Sequence, residues 1–337
     1  MSGYCTVSIG SGLVDSIYGN CQVPLKSYLE KRGEAFERES LLKYLFRMET
    51  SRHWAERYSA ETAMDSFVPV GEGGDYPKTG FQESYKKDIE NMTFKNSFAV
   101  TRELMEDAMI GTMKQRANQL ITSYGRTREL FGRALYAGGL YGTTVAYGGK
   151  SFQCGSADGL NLFHKEHVNK VDGAKQCNLY KGAFSATVLD KMETEMQNRT
   201  GDNGELLAVA PDTIWIPNDA DLKRKVFSAI GADKEPTSAN NAYNYQFGRW
   251  NVIVDPYMTK ALKDLGKTDV PFFLLDSHFI QMADAAIFQD RVKLEVRSVL
   301  DENNDNNVWK GFSRFGAGFV DWRFISAGNM STGNDLT

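Results

Sequence analysis

The sequence predicts an α+β fold on three observations. From Thr101 to Gly138 the apolar residues keep helical spacing over an unusually long stretch. Just before it, Met92 to Val100 alternates with the two-residue period of a half-buried strand. After it, short apolar runs bounded by turn formers are interleaved with amphipathic helices, the pattern of a small sheet that carries helices.

The long stretch places Leu104, Ala108, Met113, Ala117, Leu120, Ile121, Tyr124, Phe131 and Leu135 on one side. Thr101 suits an N-cap, Glu103, Glu106 and Asp107 suit the positive end of a helix, and Gly138-Gly139 suits a stop. Ile110-Gly111 interrupts the spacing, so a short turn should come first and one long helix from about Ile110. A helix of about 28 residues measures about 42 Å at ~1.5 Å per residue. Its other face would carry Lys114, Gln115, Arg116, Asn118, Thr122, Arg126 and Glu129.

Upstream, Met92, Phe94, Phe98 and Val100 share one parity, and Ser66 to Val70 reads as an earlier strand joined to them through the turn formers Gly71 to Pro77. The pair predicts a two-stranded arm. A lone ribbon is marginal in water, so this one needs a surface, and its polar outer half points to one on another molecule. Residues 1–62 form a separate region. Leu25 to Tyr44 is helix-prone, and Met48 to Tyr58 should continue in the same way, with Trp54 and Tyr58 one turn apart. Leu29, Phe36, Leu41, Leu42, Leu45 and Phe46 give that region apolar contacts, either as a tether between subunits or as a helical layer on its own domain.

Downstream, Gly138 to Gly159 should be a loop or short strands, and Ala183 to Arg199 a helix burying Phe184, Val188, Leu189, Met192 and Met196. Leu206 to Ala210 and Thr213 to Ile216 read as strand segments split by Pro211. Asn218 should cap a helix from Ala220 to Ile230 that buries Leu222, Val226, Phe227 and Ile230, followed by a polar loop from Gly231 to Tyr245. Trp250 to Val254 and Pro271 to Leu275 suit buried strands. Arg291 to Arg297 alternates charged with apolar residues, Asp301 to Asn307 is too polar to bury, and Val308 to Phe319 returns, which predicts a long hairpin. Val320 to Ile325 should be a last strand and Ser326 to Thr337 a loose tail.

With 337 residues, 42% of them hydrophobic, the chain can fill two cores. A net charge of -4 argues against sequence-independent nucleic-acid binding, which normally needs a basic stripe. No apolar run reaches the ~20 residues of a membrane span, so no membrane partner is expected. Four cysteines make no dense framework, and reduced thiols are the default.

One constellation resembles an active centre. Cys154, His164, His167 and Cys177 are separated by nine, two and nine residues, and zinc favours tetrahedral Cys/His sets. Only the two histidines have the short spacing usual for a ligand pair; otherwise they are polar loop residues and the cysteines core fillers. His53 and His278 have no evident partner. The glycines at 71–74 lead to neither a lysine nor a helix, so no phosphate loop is present, and no nucleophile motif occurs. The chain reads as no enzyme, and no cofactor is expected.

Taken together, the parts resemble the major capsid proteins of tailed bacteriophages, the Hong Kong 97-type fold shared with encapsulin shells. Val68-Pro69-Val70-Gly71-Glu72-Gly73-Gly74-Asp75-Tyr76-Pro77 is similar to the turn that opens that family's extended loop, and Phe98 to Ala108 to the entry into its spine helix. Asp158 to Asn169 resembles a loop of many phage head subunits, and Thr213-Ile214-Trp215-Ile216-Pro217 their strand–proline–helix step. The resemblance implies an N-terminal arm at 1–62, an extended β-loop at 63–100, and a peripheral domain at 101–139 and 286–317 holding the spine helix and a β-hairpin. It implies an axial domain with a central sheet at 140–285 and 318–337.

It further implies a virion protein that forms hexamers and pentamers of an icosahedral shell around double-stranded DNA, assembled in the host bacterial cytoplasm. The packaged DNA would be held by non-specific contact. A portal, a separate scaffolding protein and a possible decoration protein would be partners. Separate scaffolding is expected because fewer than ~65 residues precede the extended loop, short of an ordinary domain, and a start at Met1 is not expected of a cleaved subunit. The contacts between subunits would fall on Tyr76, Pro77, Phe81, Tyr85 and Ile89 of the extended loop and on Trp54. Covalent linkage is not expected. Lys78, Lys86 and Lys87 lie in the right loop and Asn303 to Asn307 on a polar hairpin, but lysine in such an arm is common as an edge protector. An encapsulin-like compartment is the neighbouring alternative.

Overall fold

A computed structural model describes residues 31–33, 35–61, 67–76, 78, 83–103, 110–231, 243–301 and 306–336. Pro77, Phe81, the hairpin tip at 302–305, the loop at 232–242 and residues 1–30 lie outside the described residues.

The leading segment begins with helical residues 31–33 and 35–39 and the single turn α1 (Leu42–Leu45). Leu42, Leu45 and Phe46 are buried in the main core. Phe46 meets Tyr136 at 5.1 Å, Phe319 at 5.8 Å and Phe288 at 5.9 Å between ring centres. Of the two readings of this region, the described part is therefore a layer on its own subunit. The chain then leaves helix. β1 (Arg47–Thr50) lies parallel to β12 (Ala286–Asp301), and β2 (Ala55–Glu61) is also extended. The helix expected from Met48 to Tyr58 is absent because both segments find strand partners far along the chain, and pairing of that kind outweighs local helix preference.

β2 pairs antiparallel with β3 (Glu83–Glu90), from Ala55 opposite Glu90 to Glu61 opposite Glu83. This is the two-stranded ribbon, but its strands are not the expected ones, and the boundary drawn at 62–63 runs between its two halves. Residues 67–70 are not a strand: Pro69 has no N–H to offer, and Phe67, Val68 and Val70 face solvent. β4 (Met92–Val100) leaves the ribbon and pairs with β13 (Asn306–Phe319), giving a four-stranded sheet in the order β1-β12-β13-β4. Ribbon and sheet meet at Gly316, where a Cβ would lie 2.3 Å from the Glu90 carbonyl oxygen. Only glycine lets the two backbones come so close.

α2 (Ile110–Gly139) is a single helix of 30 residues, as the spacing predicts. Its buried stripe meets the hairpin β12–β13: Met113, Ala117, Leu120 and Ile121 pack with Val100, Val296 and Trp309. About three turns further on, Phe131 sits among Phe94 at 5.7 Å, Phe315 at 5.7 Å, Phe288 at 6.3 Å and Phe152 at 4.9 Å. The helix stops where β5 (Thr144–Tyr147), the first strand of a hairpin with β6 (Lys150–Gln153), crosses it. A Cβ on Gly138 would meet that of Val145 at 2.6 Å.

The rest of the chain builds a second sheet in the order β10-β9-β11-β14 from β9 (Thr213–Pro217), β10 (Asn251–Asp255), β11 (Phe272–Leu275) and β14 (Ile325–Gly328). Side chains alternate across it. Ile214, Ile216, Phe272 and Leu274 join one core with α3 (Ala186–Gln197) and α4 (Ala220–Ile230), while Trp215, Phe273 and Leu275 join the core that α2 shares. Aspartates cap the remaining helices: Asp255 caps α5 (Pro256–Asp264) and Asp276 caps α6 (Ser277–Met282).

Five local expectations fail in this half. Asp219, not Asn218, caps α4. Phe227 is half exposed, because the stripe Leu222, Val226 and Ile230 repeats every four residues and turns its neighbour outward. Residues 207–210 form no strand, and Leu206 makes only a bridge to Thr200. The last strand starts at Ile325 rather than Val320, and the tail is not loose. Ala327 and Met330 are buried, and bridges tie Ala327 to Leu179 and Asn334 to Tyr180. Those partners lie far away in sequence, which local polarity cannot reveal.

Candidate functional site

The structure disperses the four residues with zinc-like spacing. Cys154 lies in the main core, its thiol against the Gly142 carbonyl at 3.4 Å. Cys177 turns toward Leu179, whose carbonyl accepts its S–H at 3.2 Å. His164 uses Nδ1 to accept from the Glu166 backbone N–H at 3.1 Å. His167, first residue of the short strand β7 (His167–Val168, paired with β8, Lys175–Gln176), is fully buried. Its Nδ1 is 2.6 Å from Asp158 Oδ2 and its ring stacks on Trp322 at 4.1 Å. The two histidine rings are neighbours at 5.7 Å. Among the described residues no three His, Cys, Asp or Glu side chains stand where they could hold a metal ion.

The buried chemistry is instead a set of arginine–carboxylate pairs that tie elements together. Arg128 of α2 forms a bidentate pair with Asp290 of β12, with Nη2 to Oδ2 at 2.9 Å, and its guanidinium lies 4.7 Å from the Phe288 ring centre. Arg133 reaches Asp255 at 2.6 Å and pairs with Glu129, so Glu129 is buried rather than on the wet face of the helix. Asp255, which caps α5, also accepts from Trp215 Nε1 of β9 at 3.2 Å, so it ties α5 to both α2 and β9. Arg323 joins Asp202 at 2.7 Å and Asn169 at 2.9 Å. Apart from Arg133–Glu129, one helical turn apart, these pairs escape sequence reading because the partners are distant along the chain. Arg128 and Arg133 look like ordinary helix-surface residues, and only their three- and four-residue offset from the apolar stripe hints otherwise.

The residues expected at subunit contacts divide. Trp54 is exposed at the mouth of an open groove lined by His53, Arg57, Asp88 and Glu90, and Tyr76 is almost wholly exposed at 93%. Tyr85 faces its own subunit, with the Lys170 ammonium 5.2 Å from its ring centre. Ile89 is buried in its own subunit against Ile287 and Val320, so it is not available to a neighbour. The reason is its place at the root of the ribbon, where β3 crosses β13. Of the lysines in this stretch, Lys78 is the first and Lys87 donates to the Gly155 carbonyl at 2.9 Å, its amine held below the usual lysine range by burial.

Two apolar surfaces escaped the sequence reading. Phe67, Val68 and Val70 extend the exposed face that ends at Tyr76, and Phe67 is 102% exposed. A second exposed group, Phe227, Tyr243, Tyr245 and Phe247, stands beside α4. The signal for the first was available: apolar residues flanking a glycine-rich turn with no alternation to bury them.

A family model described as phage capsid protein matches residues 86–327. Among solved structures, the capsid of the cyanophage P-SCSP1u is 9% identical over 86% of this chain and 87% of that one, with a TM-score of 0.51. The capsid of Ralstonia phage GP4 is 9% identical over 84% and 86%, also at 0.51. A virus-like particle from Pyrococcus furiosus is 10% identical over 90% and 97%, at 0.48. No curated protein matches by sequence.

Proposed function

Because the chain belongs to the phage capsid protein family, we propose that the loop at 67–76 joins one copy to the next. The protein is a structural major capsid subunit of an icosahedral shell in the virion, with the Hong Kong 97-type fold, and is not an enzyme. The observation that carries the proposal is the row Phe67, Val68, Val70 and Tyr76, large apolar side chains held in water on a loop that its own subunit leaves uncovered. Monomeric proteins rarely spend apolar surface in this way without a partner. The loop extends from a ribbon that is firmly rooted, so it can reach outward without the body unfolding.

In this reading the copies form hexamers and pentamers, with the shell closing around double-stranded DNA in the host bacterial cytoplasm with help from scaffolding and portal proteins. The α2 and hairpin part, 101–139 with 286–317, serves as the periphery. The second sheet, within 140–285 and 318–337, meets the local symmetry axis. The exposed aromatics beside α4 suit such a meeting place. The reading is tested by expressing the full chain with and without its scaffolding partner and examining the product by size-exclusion chromatography and negative-stain microscopy. Hexamers, tubes or shells are expected, and a persistent compact monomer under both conditions would overturn it. Native particles that hold a cargo enzyme and no nucleic acid would move the assignment to a compartment shell.

A further inference from the structure

The Asp158–His167 pair sits under the root of the ribbon, and its surroundings leave one atom unanswered. Asp158 organises the turn 155–161: one carboxylate oxygen accepts from the Ser156 hydroxyl and from the Leu160 N–H at 3.0 Å, while the other accepts from His167 Nδ1–H at 2.6 Å. That turn grips the ribbon. Its Gly155 carbonyl accepts from Lys87 Nζ, and Ala157 packs on the Ile89, Ile287 and Val320 cluster. Further along, Lys170 covers the Tyr85 ring. His167 itself is fully buried on Trp322, and its Nε2 has no hydrogen-bond partner among the described residues.

We propose that Asp158 and His167 form a proton-released clasp. With His167 neutral they hold the 155–161 turn against β3; a second proton on the imidazole opens the turn and frees the ribbon from the body of its own subunit. Protonation would put an N–H into a space with no acceptor, at the cost of an unsatisfied buried donor. The charged groups around the ring are mixed. Asp158 favours the imidazolium, whereas His164 and Arg199 oppose it; Arg199 and Arg323 stand 5.4 and 5.0 Å from the centre of the Trp322 ring on which His167 stacks. Asp202 and Asp321 are occupied by Arg323, and Lys87 faces Asp158 rather than the histidine ring.

The sign follows from linkage. Burial, the largest influence, holds the His167 imidazole below the usual histidine range against the pull of Asp158. A histidine harder to protonate folded than unfolded contributes full stability above about pH 6.5. That contribution is lost as pH falls from there toward the folded value. Asp158 is buried, which works against its charge, yet its bonds to His167, Ser156 and Leu160 hold it below the usual carboxylate range. It therefore stays charged while the imidazole takes the proton.

The test is hydrogen–deuterium exchange of the full chain as unassembled subunit at about pH 7.5 and about pH 5, corrected for intrinsic rates. Amides of Glu83–Glu90 and of 155–161 should exchange about tenfold faster in acid while α2 does not change. His167→Gln, which can still donate to Asp158 but takes no proton, should remove the difference. Equal exchange at both pH values in the natural protein, or an unchanged response in the variant, would overturn the clasp. Should the variant not fold, the His167 ring resonance decides: titration in step with ribbon release supports the clasp, and release without it, or titration like an exposed histidine, refutes it. The measurement concerns the subunit alone, so its failure leaves the capsid assignment standing.

Discussion

Arg128 lies between aromatic rings, with Phe288 4.7 Å and Phe315 5.4 Å from its guanidinium carbon, and Asp290 supplies the opposing charge. Both side chains are buried, so neither charge can recover its hydration. Replacing a whole buried pair with apolar groups is often tolerated, but removing one partner strands the other. Asp290→Ala should therefore cost about 3–5 kcal/mol, read from urea denaturation, while the double replacement Arg128→Met with Asp290→Leu should cost less than the single change. An Asp290→Ala loss within about 1 kcal/mol would mean that Arg128 finds other compensation. The thiol of Cys154 is the other residue whose surroundings make a measurable claim. Burial pushes it up to about 12, against a small opposing effect of Lys87. At about pH 8 roughly one molecule in ten thousand would carry the thiolate. Iodoacetamide should leave Cys154 unmodified in the folded chain and alkylate it after denaturation, as peptide mass mapping would report. Rapid labelling of the folded protein would contradict its burial.

Elements inherit these constraints unevenly. α2 owes its length to an uninterrupted apolar stripe, and Leu135 sits in that stripe with no exposed surface. Leu135→Ala should cost about 2–5 kcal/mol through the cavity it leaves. Arg126→Ala, on the exposed face, should change stability by less than about 0.5 kcal/mol. Equal effects in thermal or urea unfolding would show that the helix does not bury the side assigned to it. The same stripe explains why α2, the hairpin β12–β13 and the strands β9, β10 and β11 were legible: each carries its burial pattern within a single window. β1 and β2 were not. Their residues, such as Ala55, Glu56 and Arg57, suit a helix, and what makes them strands is β12 and β3, distant in sequence. The tail failed for the same reason, since Leu179 and Tyr180 hold it. For the candidate site, the sequence exposed the turn at 71–76 and Trp54, but not that Ile89 and Tyr85 belong to the ribbon's root. The zinc-like spacing of Cys154, His164, His167 and Cys177 is not matched by a cluster among the described residues, whereas the Asp158–His167 pair needed the fold to bring it together.

At the scale of the molecule, the ribbon separates two roles that deletion can tell apart. Its root is internal: Ile89 is buried, Lys87 donates to Gly155, and Glu90 crosses Gly316. Among the described residues of its outer loop, Phe67 and Tyr76 lie open to water at 102% and 93% exposure. Removing the whole segment from Gly71 to Asn91 would therefore damage the subunit as well as any contact between copies. Replacing only residues 68–76 by a glycine–serine linker of equal length leaves β2, β3 and the core untouched. Each large apolar side chain buried on a neighbour is worth about 1.5–3 kcal/mol before the loop's ordering cost is subtracted. A shell repeats that contact in every subunit, so its loss should be felt many times over. The linker variant should keep the unfolding midpoint of the natural subunit, because nothing buried has been removed, and should form no shells under conditions where the natural chain does. Calorimetry and negative-stain microscopy on the same preparation measure both. Normal shells from a variant with an unchanged midpoint would show that copies meet elsewhere, and a lowered midpoint would show that the loop folds back onto its own body.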